Sequence, residues 1–192
     1  KSVLLYIDEN GYEGLAESGF KALVDDGIAV FAIDIRGMGQ LYPRASEWDK
    51  YAWCDISRVL SYGSWSLGTS VPHLQVADTM AAVQYLKQLQ DTKDLPLFIL
   101  GKGRAAPIAL MTTAINEEIK GLIGVESLVS YQDFIEKPLP SYNMMAVSYG
   151  VLKEFDIPDV LASVAEKILM WANPLDSNLK PLKTKEVAQI YK

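Results

Sequence analysis

The sequence predicts an α/β protein built on a single doubly wound, mostly parallel sheet of about five strands, and three observations carry that expectation. Apolar runs of strand length recur along the whole chain and alternate with stretches at helical spacing. Most of those runs end in Asp, Asn or Gly, the residues of turns. Finally, 192 residues, 49% hydrophobic and 22% charged, are enough for one domain with a large core and exclude a disordered chain.

Val3-Leu-Leu-Tyr-Ile7 reads as a buried first strand, ended by Asp8-Glu-Asn-Gly11. Leu15, Phe20, Leu23 and Val24 fall at near-helical spacing, and Gly27 closes that helix. Ile28-Ala-Val-Phe-Ala-Ile33 is apolar at every position, the pattern of a central parallel strand covered on both faces. From Gln40 to about Val71 no period is visible, although Tyr42, Trp48, Tyr51, Trp53, Tyr62 and Trp65 make the stretch aromatic. It is expected to be an irregular excursion over the sheet's carboxyl edge, packing as a lid or stacking on sugar rings. Pro72 suits the start of a helix whose stripe is Val76, Met80, Val83 and Leu86. Leu97-Phe-Ile-Leu100 is the third strand, Ala106 to Ile119 a helix that tolerates Pro107 in its first turn, and Gly121 to Val125 the fourth strand. Ser127 to Gly150 reads as loop. Asp156-Ile-Pro-Asp-Val160 opens a short helix, Ile168 to Ala172 is the fifth strand, and Lys183 to Lys192 forms a last helix with a solvated lysine face.

Composition narrows the function. Eighteen basic against 24 acidic residues leave a net charge of −6, which repels nucleic acid and anionic membrane surfaces, and no apolar run reaches the ~18 residues of a membrane span. The single cysteine, Cys54, excludes an internal disulfide and a cysteine-rich metal cluster. It lies in the aromatic stretch with no histidine near it in sequence, and reads as a buried small hydrophobe. With one histidine in the chain, any Ser-His-Asp scheme must use His73, which reads as a surface or capping residue at the start of a helix.

In a parallel sheet the ligand crevice lies at the carboxyl ends of the strands, here the loops from Asp8, Asp34, Gly101, Glu126 and Asn173. Gly101-Lys-Gly-Arg-Ala105 stands between a strand and a helix, the context of the G-x-S-x-G nucleophile elbow, with Gly103 at the serine position. The same residues fit a second pattern. Gly101-x-Gly103-x-x-Ala106 matches the dinucleotide fingerprint, with Glu126 as a ribose-binding acid, although two βα units precede it where the fingerprint normally opens the first.

The Asp34-Ile-Arg-Gly-Met-Gly39 segment, the helix Val76 to Leu86, the elbow, and Asp156 to Leu161 leading to Asn173-Pro-Leu-Asp176 together resemble the α/β-hydrolase fold, and within it the acetyl xylan esterase-like family. The resemblance implies a hydrolase core lacking its outer strands, with strand order second-first-third-fourth-fifth. It implies a first oxyanion donor in the loop from Asp8 to Tyr12, a second at the Arg104 N–H, and Asp176 as the acid. The nucleophile position is Gly103 and the histidine loop has no counterpart, so no intact catalytic set is expected. Residues 1–192 are read as a single domain, a fragment of a larger protein because the chain opens inside a strand without methionine.

The function expected is a pseudoenzyme: a degenerate hydrolase domain with a structural or ligand-binding role in a carbohydrate-active protein. Its ligand would be a carbohydrate or small acyl group held by Asp8, Gly11, Tyr12, Lys102, Gly103, Arg104 and Glu126. Its partner would be a neighbouring catalytic domain of the same polypeptide, with no nucleic acid, membrane, metal or cofactor. The alternatives are a weak or unconventional carboxylic ester hydrolase and a dinucleotide-binding domain. A carbohydrate-esterase role would favour a periplasmic or extracellular location.

Overall fold

The computed structural model describes residues 1–17, 19–43 and 55–191. Five strands, β1 (Ser2–Asp8), β2 (Ile28–Ala32), β3 (Leu97–Lys102), β4 (Ile119–Val125) and β5 (Ile168–Ala172), form one sheet in the order β2-β1-β3-β4-β5, with every pair parallel. This is the expected order. Val3 to Asp8 on β1 are buried throughout, as are Leu97 and Ile99 on β3, because these strands lie inside the sheet beneath helices on both faces. β2 differs from expectation: it is an edge strand and only partly buried, so its all-apolar sequence does not reflect a central position.

The helices are α1 (Gly14–Glu17), α2 (Lys21–Asp25), α3 (Ile56–Ser66), α4 (Val71–Gln88), α5 (Ala105–Ala114), α6 (Asp133–Glu136), α7 (Ile157–Ser163) and α8 (Thr184–Ile190). The single helix expected from Leu15 to Val24 is two short ones, separated by a turn in which Gly19 stands at φ +68. α3 occupies a stretch expected to be irregular. Its buried face is Ser57, Ser61 and Ser64, and the last two hydroxyls donate to the Ser57 and Ser61 carbonyls at 2.7 and 2.8 Å. A polar buried stripe satisfied by its own backbone leaves no apolar period to read. Trp48, Tyr51, Trp53, Cys54 and Lys192 lie outside the described residues.

α4 starts one residue before Pro72, which occupies its second position and costs no hydrogen bond there. α5 ends at Ala114, short of the expected Ile119, and Ile119 and Lys120 extend β4 instead. Ala105 to Leu110 are all buried, so α5 sits against the middle of the sheet and its first turn is held firmly over the end of β3. The segment read as loop between Ser127 and Gly150 contains α6 and a single helical turn at Met144–Ala146. α7 is opened by a capping box in which Asp156 and Asp159 each accept from the other's end of the first turn. No described helix is long and apolar enough to cross a membrane.

Candidate functional site

The crevice lies where β1, β3, β4 and β5 end. At the β3–α5 turn Gly103 adopts φ +60, the left-handed conformation that an elbow requires. Its N–H donates to the Val125 carbonyl at 2.9 Å and its carbonyl accepts from the Ala106 N–H at 3.1 Å, which ties the turn to both β4 and α5. Gly101 is needed for a different reason. A Cβ there would stand 2.7 Å from the Ala105 oxygen and the Ala106 Cα, so the helix can start this close only over a glycine.

Above Gly103 the space is already filled. A Cβ on Gly103 would meet Cδ and Oε1 of Glu9 at 2.5 Å and Cγ at 2.9 Å. The Glu9 carboxylate therefore stands where a nucleophile's side chain would project, and its Oε2 accepts from Arg104 Nε at 3.1 Å. Arg104 is the more deeply placed partner, with a side chain 14% exposed against 37% for Glu9.

The loop after β1 holds Glu9 in place through its backbone. Asp8 is buried and accepts from the Tyr6 hydroxyl and, at 2.8 Å, from the Asn10 N–H. Asp34 accepts from the N–H groups of Tyr12 at 2.7 Å and Gln40 at 2.8 Å, clipping the loops after β1 and β2 together. The Glu9 N–H donates to the Lys102 carbonyl at 3.4 Å. Thus the N–H groups of Glu9, Asn10 and Tyr12, on the loop expected to supply the first oxyanion donor, are engaged inside the protein. Gly11 packs against Gly39, and the Tyr12 hydroxyl accepts from Gln40 Nε2 at 2.7 Å.

Asp176, on the loop after β5, is buried and fully coordinated. Its Oδ1 accepts from the N–H groups of Asn178 at 2.9 Å and Lys180 at 2.8 Å, and its Oδ2 from Lys137 Nζ at 2.7 Å. Lys137 also lies 3.2 Å from Asp133, whose other oxygen accepts from the Ser177 N–H at 2.6 Å. Burial pushes the Asp176 carboxyl up, but the Lys137 ammonium and the two N–H donors outweigh it and hold the group below the usual carboxylate range. Burial lowers Lys137, and hydrogen bonds to its two carboxylates more than reverse this. Lys137 is therefore a fixed ammonium at neutral pH and cannot accept a proton there.

Tyr142 follows Ser141, whose N–H donates to the Ser177 carbonyl at 2.8 Å beside Asp176. Burial first, and then the Glu9 and Asp176 carboxylates against the opposing Arg104, push its phenol well above the ordinary range. Its hydroxyl is buried and has no hydrogen-bond partner among the described residues, while its ring packs edge-on against Phe134 with centroids 5.7 Å apart. Glu126 stands at φ +55 directly after β4, with an oxygen 3.9 Å from Lys102 Nζ; Asn173 is at φ +50 after β5. Three successive strands thus end in a left-handed residue, which turns each chain sharply out of the sheet.

Of the residues singled out in the sequence, Lys102, Gly103, Arg104 and the Asp8 loop come together, and Glu126 joins through Lys102. Asp176 is held instead by Lys137, Asn178 and Lys180. His73 does not join them: it is exposed on the first turn of α4, beside an apolar cavity lined by Val76, Met111 and Ile115. Glu9, Lys137, Asp133 and Tyr142 were not singled out. Glu9 lies in a flagged loop, but nothing local in the sequence marks the other three.

The all-parallel sheet of this order, flanked by helices and carrying a left-handed residue at the β3–α5 turn, has the fold of an α/β-hydrolase core. Solved structures agree with this. A candidate acetyl xylan esterase from Bacteroides fragilis is similar over 99% of this chain, with a TM-score of 0.73 at 16% identity. The alignment takes in 54% of that protein, so this chain spans about half its length. An esterase from Pyrococcus furiosus is similar over 99% of this chain and 67% of its own, with a TM-score of 0.54 and 16% identity. No protein-family model and no curated protein matches the sequence.

Proposed function

We propose that this chain is a catalytically degenerate α/β-hydrolase domain, similar to the acetyl xylan esterases, that serves a structural or ligand-binding role in a carbohydrate-active protein. The observation that carries this reading is the turn at Gly103: the backbone has the elbow's positive φ, and the side chain that would attack an ester is missing, its place taken by the Glu9 carboxylate. A nucleophile is activated by an adjacent base. Gly103 supplies no nucleophile, and the carboxylate beside it, Glu9, is paired with Arg104 rather than with a hydroxyl or thiol.

The remaining residues support the same conclusion. Asp176, the acid by position, is paired with a protonated lysine that cannot relay a proton, and the one histidine is placed beside a different cavity. The negative charge of Glu9 over the start of α5 also speaks against the dinucleotide reading, since a pyrophosphate would have to occupy the same N–H-rich space. What the crevice retains is Arg104, Lys102 and the strand-end loops, which suit binding of a small acyl or carbohydrate ligand.

The test is hydrolysis of p-nitrophenyl acetate and of acetylated xylan by the unmodified chain. The expected result is no product above a buffer control. Steady turnover that Asp176→Asn or His73→Ala abolishes would overturn the reading and assign an unconventional carboxylic ester hydrolase. Saturable binding of NAD that Glu126→Gln removes would assign the dinucleotide alternative.

A further inference from the structure

Arg104 is a mostly buried cation whose anionic partner, Glu9, comes from the loop after β1 and is the more exposed of the two. The asymmetry has a chemical meaning. Glu9 can swing its carboxylate into solvent through its own side-chain torsions, because its backbone is fixed by the bonds from Glu9 to Lys102 and from Gly39 to Glu9. Arg104 cannot follow, and a buried guanidinium without a counter-ion is costly. A replacement anion would offset that cost when Glu9 leaves.

We propose that Glu9 is an internal stand-in for a small monocarboxylate ligand, which displaces it from Arg104 and binds over Gly103. The proposal rests on reading the crevice as a binding site rather than a catalytic one. Three features define the ligand class. The atoms of Glu9 that crowd Gly103 are Cγ, Cδ and Oε1, and with Oε2 on Arg104 they make up the four heavy atoms of an acetate, so the space they vacate has the size and shape of a short acid or of a carboxylate on a sugar. The guanidinium of Arg104 matches a planar carboxylate in geometry as well as charge. The Tyr142 hydroxyl, buried and without a hydrogen-bond partner among the described residues, feels the charges of both Glu9 and Arg104 and is a donor available to a ligand oxygen. Glycine at 103 completes the arrangement, because a side chain there would project into the same volume.

Titration calorimetry at low ionic strength tests this with acetate and glucuronate as probes and acetamide as the uncharged counterpart of acetate. Glu9→Ala is expected to bind at least one carboxylate at least tenfold more tightly than the unmodified chain, to ignore acetamide, and to lose that binding when Arg104→Ala is added. Acetate alone would indicate a free short-chain acid and glucuronate alone an acidic sugar, and either result supports the proposal. Binding no tighter than in the unmodified chain, binding that persists without Arg104, or equal binding of acetamide would overturn it. Should Glu9→Ala fold poorly, Glu9→Gln keeps the side chain's volume without its charge and carries the same expectations. In the unmodified chain, high acetate should shift the Arg104 Nε–H resonance. Failure here leaves the hydrolysis result untouched, and turnover in that assay would leave displacement of Glu9 to be judged by these titrations alone.

Discussion

On the proposed reading as a degenerate hydrolase, the β3–α5 turn and the loop after β5 depart from a working site in opposite ways. At the turn the backbone is kept and the side chain is gone: Gly103 holds its left-handed φ, braced by Val125 and Ala106, with nothing to present. In the loop the proposed acid, Asp176, is present and buried, and its partner is a lysine. The difference teaches that elbow geometry and elbow chemistry are separable. The geometry is a property of how β3, β4 and α5 pack, whereas the chemistry depends on side chains that arrive from distant loops.

If the lysine is what replaces chemistry with structure in the β5 loop, removing it should have the largest effect on the fold. Lys137→Met leaves Asp133 and Asp176 buried without a cation and should lower stability by about 3 kcal/mol, read by chemical denaturation. The pH dependence sharpens the same point. The Asp176 carboxyl is depressed in the folded protein, so its contribution is present above the unfolded value of about 4 and is lost as pH falls through that region and below. That acid-induced loss should shrink in Lys137→Met. At the turn the expected effect is smaller. Gly103→Ala keeps the fold but places a Cβ at positive φ and forces Glu9 aside, at a cost of about 1–2 kcal/mol in the same measurement. Glu126→Gly, which relieves a left-handed glutamate, should stabilise by up to about 1 kcal/mol. Lys102→Ala should change stability by less than about 0.5 kcal/mol, since the pair with Glu126 is long and partly exposed.

The parts of this account that were legible in the sequence are the local ones. Each strand is a contiguous apolar run, and the small residues from Gly101 to Ala106 mark the turn without help from elsewhere. α3 was hidden because its buried stripe is serine, and the edge position of β2 because an apolar strand reads alike in the middle of a sheet and at its margin. The site itself was the least legible. Glu9 and Arg104 are 95 residues apart, and Lys137 and Asp176 are 39 apart, so neither pairing has a spacing to detect. Asp176 could be placed by position, but its partner could not.

The central claim is that the turn has an elbow's backbone without an elbow's chemistry, and Gly103→Ser tests it most directly. The variant supplies a hydroxyl at the turn and displaces the Glu9 side chain. After incubation with a fluorophosphonate, intact-protein mass spectrometry should show no adduct on Ser at that position, because the new side chain pushes aside Glu9, a carboxylate already paired with Arg104, and the one histidine that could take the proton lies beside a different cavity. Rapid stoichiometric labelling would contradict the account, since it would mean that an activating base stands beside the turn and that only the nucleophile had been lost.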